Sequence, residues 1–479
     1  MPSLLIACTP VHGHVQPLLA VARHLIARGH RVRFLTGSRY RSAVEATGAE
    51  YLALPRDIDY DDSDVDAAFP GRIGRTGIAG IRWDIENIFL APAPQQLAAL
   101  DAAIAAEKTD AILVESMFVG ALALVSRPRG ERPPVVNLGI IPLGLSSVDT
   151  APFGLGIAPM PGLRGRIRNR ALRFVAEHVI FGALQRSAQR MVRETTGHEL
   201  EGFFLGSAAL ADAVVQFTVP EFEYPRSDLP EHVHFVGPVA RSRPSSAALP
   251  EWWGDLDGSR PVVHVTQGTI ANADFGALIV PTIEALANDD VLVVVSTGGR
   301  PLAELPALPA NVRAATYLPY DALLPLTDVV VTNGGYGGVH YAMEHGVPLV
   351  VAGTTEDKIE VSARIARAGV GINLRTETPT TDAVGAAVRT ALADPSYRAA
   401  SERVGAAIRA SAGLDGLDAV LAGLVSRSLA APPSPSASPS PSASPSPSPS
   451  ASPSPSSSPS SSASPSSPSP SSSASPSDG

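Results

Sequence analysis

The stretch Thr332–Pro348, TNGGYGGVHYAMEHGVP, decides how this chain folds. The run Asp328–Val331 precedes it and a second apolar run, Leu349–Ala352, follows. That order reads strand, glycine turn, helix, strand. Val339, Ala342, Met343 and Gly346 recur at i, i+3, i+4 and i+7, so the helix has one apolar or small-residue face. Glycines in the turn leave backbone N–H groups uncovered where the helix begins. Those amides, with the positive end of the helix dipole, suit a phosphate or diphosphate. The expected ligand of this turn is a nucleotide-linked substrate.

The same grammar opens the chain. Leu4–Cys8 reads as a buried strand, Thr9–His14 as a turn, and Leu18, Val21, Ala22 and Leu25 as one face of a helix. Gly29 stands at the expected C-cap, and Arg31–Thr36 alternates as the next strand. This is a βαβ unit, hence parallel strands joined by a right-handed crossover. Ala111–Val114 and Pro134–Leu138 are further strand candidates, and Arg164–Arg193 reads as helix. Between about Gly237 and Arg260 the composition turns to Pro, Ser and Gly around Trp252-Trp253, as in a linker. A second α/β alternation starts at Val262–Thr266. It continues through a helix at Ala277–Ala287, a strand at Val291–Ser296, a short strand near Thr316 and the glycine turn.

The expected fold is therefore α/β, with two Rossmann-like domains facing across a cleft. Residues 1–236 form the first domain, 237–260 the linker, 261–429 the second domain and 430–479 a tail. From Pro432 to Ser477 the tail holds only Ser, Pro and Ala, which cannot bury enough apolar surface to offset ordering, so it is expected to be disordered. The composition also suits a spacer or a ligand for a proline-binding module. The formal charge of −9 excludes a nucleic-acid footprint. The single cysteine, Cys8, permits no intramolecular disulfide and fits a reducing compartment. No signal peptide or continuous apolar span is evident, so a cytoplasmic protein without a transmembrane segment is expected.

Open parallel sheets bind ligands beyond the carboxyl ends of their strands. That rule selects His12–His14, Thr266–Thr269 and Asn333–Gly338. A phosphate-binding P-loop, G-x-S-x-G and H-E-x-x-H are all missing, and the first βαβ unit lacks the glycine spacing and acid of a nicotinamide site. The acidic run Asp57–Asp66 has no EF-hand spacing and reads as a solvated loop rather than a metal site. His12 or His14 is a candidate general base, being an imidazole that titrates near neutral pH at a strand end. Glu115 closes a buried strand and is a candidate partner for it. Tyr317 and Tyr320 flank Pro319, where either ring could stack on a base or pack in the core. Trp83, Phe89, Met117 and Phe118 could line an apolar pocket, although core packing explains them as well. The arginine-rich helix from Arg164 reads as a solvated face, with contact to an anionic membrane the rival reading.

Three segments together resemble the UDP-glycosyltransferase superfamily of inverting, nucleotide-sugar-dependent glycosyltransferases, in particular its bacterial macrolide and natural-product branch. They are PVHGHVQPLLAVARHLIARGHRV, PVVHVTQGT and YLPYDALLPLTDVVVTNGGYGGVHYAMEHGVPLVVAGTTEDK. The resemblance spans roughly residues 3–425 and implies the two-domain GT-B fold. It further implies His14 as general base, with Glu115 in the place of a supporting Asp. Donor-binding positions implied are Thr269, Tyr317 (for a Trp stacked on uracil), Tyr320, Asn333, Gly335, Gly337, Gly338, Asp357 and Lys358. Asn333 replaces the usual His and Gly338 a Ser or Thr, which weakens the side-chain grip on a diphosphate; Lys358 is expected to compensate. The implied reaction moves a hexose from a UDP- or TDP-sugar, as cosubstrate, to a hydroxyl of a small hydrophobic acceptor. No metal and no cofactor are implied. Rival readings are a non-catalytic helper that retains the fold and a sugar-nucleotide epimerase.

Overall fold

The computed structural model describes residues 2–239, 248–269 and 272–430, with side chains to 427. The expected tail and part of the linker lie outside the described residues. Seven strands form the first sheet: β1 Ser3–Ala7, β2 Arg31–Thr36, β3 Glu50–Ala53, β4 Ala111–Glu115, β5 Val135–Gly139, β6 Ala213–Gln216 and β7 Val233–Phe235. Six form the second: β8 Val262–Thr266, β9 Leu292–Ser296, β10 Val312–Ala315, β11 Val329–Thr332, β12 Leu349–Val351 and β13 Gly371–Asn373. The spatial orders are β3-β2-β1-β4-β5-β6-β7 and β10-β9-β8-β11-β12-β13, with every pairing parallel. Each order reverses direction once, between β1 and β4 and between β8 and β11. These are the topological switch points at which doubly wound sheets open a crevice.

Among the helices are α1 His12–Ala27, α2 Ala93–Ala106, α3 Gly162–Phe174, α4 Tyr336–Glu344, α5 Lys358–Ala368 and α6 Leu414–Ala430. Both sheets are covered on two faces, because parallel strands built from runs such as Leu4-Leu5-Ile6-Ala7 have no polar side to show water. Several expectations shift. The first turn is shorter than its sequence suggests, and α1 already begins at His12. The region 164–193 holds two helices, α3 and Gly182–Thr196, joined by a wide π turn at Val175–Ile180. Trp252 and Trp253, read as linker, pack against Val262, Leu292 and Val294, and the Trp252 indole donates to Ala314 O at 3.2 Å. Helical residues Gly77–Ala106 are long and apolar enough, by length and composition, to cross a membrane. Here Leu90, Ala93, Leu97, Leu100 and Ala103 are buried in the core under the first sheet.

The last helix departs most from the sequence reading. Assigned by chain order to the second domain, α6 buries Leu417, Leu421 and Leu424 in the core of the first. His24 contacts Asp418 at 2.9 Å, and Arg28 pairs with both Asp415 and Asp418. The His24–Asp415–Asp418 triad has the donor atoms for a cation, but the Arg28 guanidinium already supplies that charge. The chain thus crosses between lobes twice, and the crossings touch: Gly413 N donates to Val236 O at 2.5 Å.

Buried polar contacts fasten the lobes behind the cleft. Val219 and Phe222, just past β6, sit in the core of the second lobe with Tyr336, Val339 and Met343. Gln216 donates to the Tyr336 hydroxyl at 3.3 Å, and Thr218 meets His340 Nε2 at 2.7 Å. The guanidinium of Arg364 on α5 lies 3.0 Å from Glu223 of the first lobe and 2.7 Å from Glu360 of its own helix. Glu360 in turn accepts the backbone N–H groups of Gly154 and Gly156, at 2.9 and 3.0 Å. Burial alone would push Arg364 toward deprotonation; the two carboxylates reverse that and hold it firmly charged. Removing one partner of such a pair leaves an uncompensated buried charge. Arg364→Met is therefore expected to cost about 3 kcal/mol of stability, measured by urea unfolding, with Arg226 limiting the loss by remaining near Glu223.

Candidate active site

His14 stands in the first turn of α1, directly beyond β1, and Glu115 ends the neighbouring strand β4. The first switch point thereby brings together two residues about a hundred positions apart. His14 Nδ1 lies 3.1 Å from Glu115 Oε2, and the Glu115 side chain is fully buried. The contact is an ion pair only while the imidazole carries its second proton. Backbone amides hold the carboxylate: Thr9 N–H donates at 3.2 Å and Met117 N–H at 2.5 Å. Burial would raise the Glu115 carboxyl, yet His14 and these donors bring it below the usual range. For His14, burial lowers the imidazole, but Glu115, followed by Asp357 and Glu356, outweighs it and leaves the pKa raised above 6.5. Phe89 lies nearly parallel to the His14 ring, centroids 6.4 Å apart, so of the apolar candidates it belongs to the site. Phe118 does not; it is buried in the core below the sheet.

A residue that sequence reasoning placed in a solvated loop turns out to support His14. Asp62 accepts the His12 backbone N–H at 2.6 Å, the Tyr40 hydroxyl at 2.6 Å and the Arg39 guanidinium. Val11, at the N-cap of α1, offers no side-chain acceptor, so Asp62 serves as that cap from another loop. Spacing along the chain carries no sign of this. Asp62 holds His12 through its main-chain N–H, whereas the imidazole beside Glu115 is that of His14.

The second switch point is built from the ends of β8 and β11. The Asn333 side chain donates to Gln267 O at 2.6 Å and ties the two turns together. Its NH2 thus has a structural partner, which limits it as a ligand donor. The helix after the turn starts at Tyr336 with Gly335 as N-cap and no side-chain cap. Its first-turn amides have no helical acceptor. A Cβ built on Gly335, Gly337 or Gly338 would meet nothing within 4 Å, so these glycines border open space. Thr269, just past β8, is exposed.

The tyrosines separate cleanly. Tyr317 is 65% exposed, and its hydroxyl end rests on Gly299, where a side chain would collide with it. Its ring is a free platform. Tyr320 instead packs edge-on against His264 and Tyr341, with its hydroxyl 3.3 Å from His264 Nε2. Tyr320 is thus held among its neighbours and is less exposed than Tyr317. Lys358 departs from the sequence expectation. Its ammonium is buried and paired with Glu356, a residue held at φ 55°, so it is not a free cation facing the glycine turn. Asp357, immediately before α5, is raised to about 6, chiefly by burial, with Lys358 opposing and Glu356 adding to the rise. Charge coupling between Asp357 and His14 crosses from one lobe to the other.

Two parallel-sheet lobes, an imidazole–carboxylate pair at one switch point and an uncovered helix N-terminus at the other define a glycosyltransferase of the GT-B type. The known proteins agree. The glycosyltransferase family 28 N-terminal domain matches residues 11–111, and the erythromycin biosynthesis protein CIII-like C-terminal domain matches residues 281–412. The 4'-demethylrebeccamycin synthase of Lentzea aerocolonigenes is 43% identical over 403 residues, 84% of this chain and 94% of the relative. UDP-glucosyltransferase 1 of Beauveria bassiana is 37% identical over 414 residues, 81% of this chain and 88% of the relative. The calicheamicin glycosyltransferase CalG4 shares the fold with a TM-score of 0.67 at 20% identity, covering 89% of this chain and 99% of that one. The chain belongs to the UDP-glycosyltransferase superfamily and is a hexosyltransferase.

The charge arrangement makes one direct test available. By nuclear magnetic resonance, the His14 imidazole should titrate above 6.5. Glu115→Gln should bring it down by removing the dominant negative neighbour, and Asp357→Asn should lower it by a smaller amount.

Proposed function

We propose that the chain transfers a hexose from a UDP- or TDP-sugar to a hydroxyl of a small hydrophobic natural product, with inversion at the anomeric carbon. The observation that carries this reading is the His14–Glu115 pair facing, across the lobes, the carboxylate of Asp357. With Nδ1 held toward Glu115, the neutral ring keeps its lone pair on Nε2. Nε2 takes the acceptor's hydroxyl proton as that oxygen bonds to the anomeric carbon. The bond from that carbon to the diphosphate oxygen breaks, and the diphosphate departs with the electron pair. Glu115 orients the ring and stabilises the imidazolium formed.

The leaving diphosphate meets the first-turn amides at Gly337 and Gly338, the positive end of α4 and the Thr269 hydroxyl, a neutral cradle worth less than one with a charged donor. Tyr317 stacks on the nucleobase, and Asp357 accepts hydrogen bonds from sugar hydroxyls. The relative named as a 4'-demethylrebeccamycin synthase supports a natural-product acceptor, while the UDP-glucosyltransferase relative and the structural neighbour VinC, solved with dTDP at 21% identity, leave both nucleotides open.

Screening UDP- and TDP-sugars against hydrophobic phenols and macrolides, read by mass, tests the reaction. His14→Ala should lower turnover by about 10²–10⁴-fold while calorimetry shows donor-nucleotide affinity unchanged; unaltered turnover would reject the general base. Because only neutral His14 can accept a proton, kcat/KM should rise with pH through a value above 6.5. Glu115→Gln should shift that limb to lower pH and reduce the plateau. Tyr317→Ala should weaken nucleotide binding by about 1–3 kcal/mol in calorimetry, the usual worth of a base–aromatic stack.

A further inference from the structure

Helix α3 carries a surface that transfer does not use. Leu163, Ile167 and Phe174 are 73%, 60% and 59% exposed. At roughly 100° per residue these three fall within about 40° of arc. Val175 and Val179, on the π turn that follows, are exposed as well. On the opposite side of α3, Gly165 and Asn169 are buried; Gly165 lies against Met160 O, and Asn169 donates to Val148 O at 3.0 Å. The strip therefore faces away from the protein body.

Charge flanks it on both sides. The thirteen residues of α3 include five arginines and no acid, in a chain whose formal charge is −9. Arg166 pairs with Asp149, while Arg168 and Arg173 donate to the backbone oxygens of Ala158 and Ser147. Arg164 and Arg170 have no acidic partner among the described residues. They lie on either side of the Leu163–Ile167–Phe174 line. An apolar strip edged by free guanidiniums is the pattern of a helix that lies in a bilayer interface, apolar side chains among the acyl chains and arginines at the phosphates.

We propose that α3 docks the enzyme on an anionic lipid surface. A second copy of the chain is the poorer occupant, since a two-fold contact would oppose the same arginines to one another. The Ser/Pro/Ala segment after Pro432 is poorer still, having no large apolar side chain to cover the strip. The proposal is independent of the acceptor assigned above, because no residue of the strip is given a part in the proposed transfer.

Flotation of the full chain with vesicles of phosphatidylcholine alone, and with about 30% phosphatidylglycerol added, tests it. Binding to the anionic vesicles should be at least about tenfold tighter and should weaken as salt is raised. Arg164→Glu/Arg170→Glu should abolish the preference for phosphatidylglycerol, and Ile167→Glu/Phe174→Glu should remove most binding, both with unchanged transfer to a water-soluble acceptor and unchanged melting temperature. Inorganic phosphate at millimolar levels should not displace the protein; displacement would indicate a free-anion site and overturn the proposal. Equal flotation with both vesicle types, undiminished binding by the variants, or variants that only dissociate a protein oligomer would also overturn it.

Discussion

The guanidinium of Arg364 is the contact on which the arrangement of the cleft depends. It is buried, it belongs to the second lobe, and one of its two carboxylates, Glu223, belongs to the first. A desolvated cation can persist only with close, well-placed anions. The pairing therefore fixes where α5 lies against the first lobe. Asp357 immediately precedes that helix, and Glu360 anchors its first turn to the Gly154–Gly156 backbone. The distance across which Asp357 faces His14 is thus set by an ion network two turns away. Gln216–Tyr336 and Thr218–His340 do the equivalent for α4.

The cleft itself is negatively biased. Glu115, Asp357 and Glu356 all act on His14, while Lys358 is neutralised by Glu356 and Asn333 is engaged by Gln267 O. Such an environment favours a protonated imidazole after the proton has moved, and it leaves the anion side of the site to backbone amides and a helix dipole. Amides do not titrate, so that half of the site keeps its polarity across the range in which His14 and Asp357 change charge. The departures seen in the glycine turn fit this division. A second imidazole at position 333 would have brought another titrating group to the diphosphate.

Much of this was legible from the chain. Local order sufficed wherever strand, turn and helix follow in one stretch, as at Thr332–Pro348 and Ser3–Thr36, and the resemblance assigned His14 and Tyr317 positions that the structure brings to the open side of the strands. Two of the residues that escaped the sequence have partners distant along the chain. Asp62 caps α1 from a loop fifty residues on. Tyr320 reads like Tyr317 until His264 and Tyr341 surround it. Lys358 reads as a free cation because Glu356 must enter the left-handed region to reach it. The short strands β3, β6, β7 and β13, of three or four residues, are too brief to show periodicity.

The return of α6 to the first lobe has a bearing on how this protein can be recombined. Its two lobes are not consecutive in the chain, since the first is completed only by residues after Gly413. Grafting a relative's entire C-terminal half would import a foreign helix onto Leu18, Val21 and Leu25 and split the Val236–Gly413 junction. A transplant bounded at that junction, carrying residues 237–412 and sparing the final helix, would exchange the nucleotide-side lobe as a physical unit.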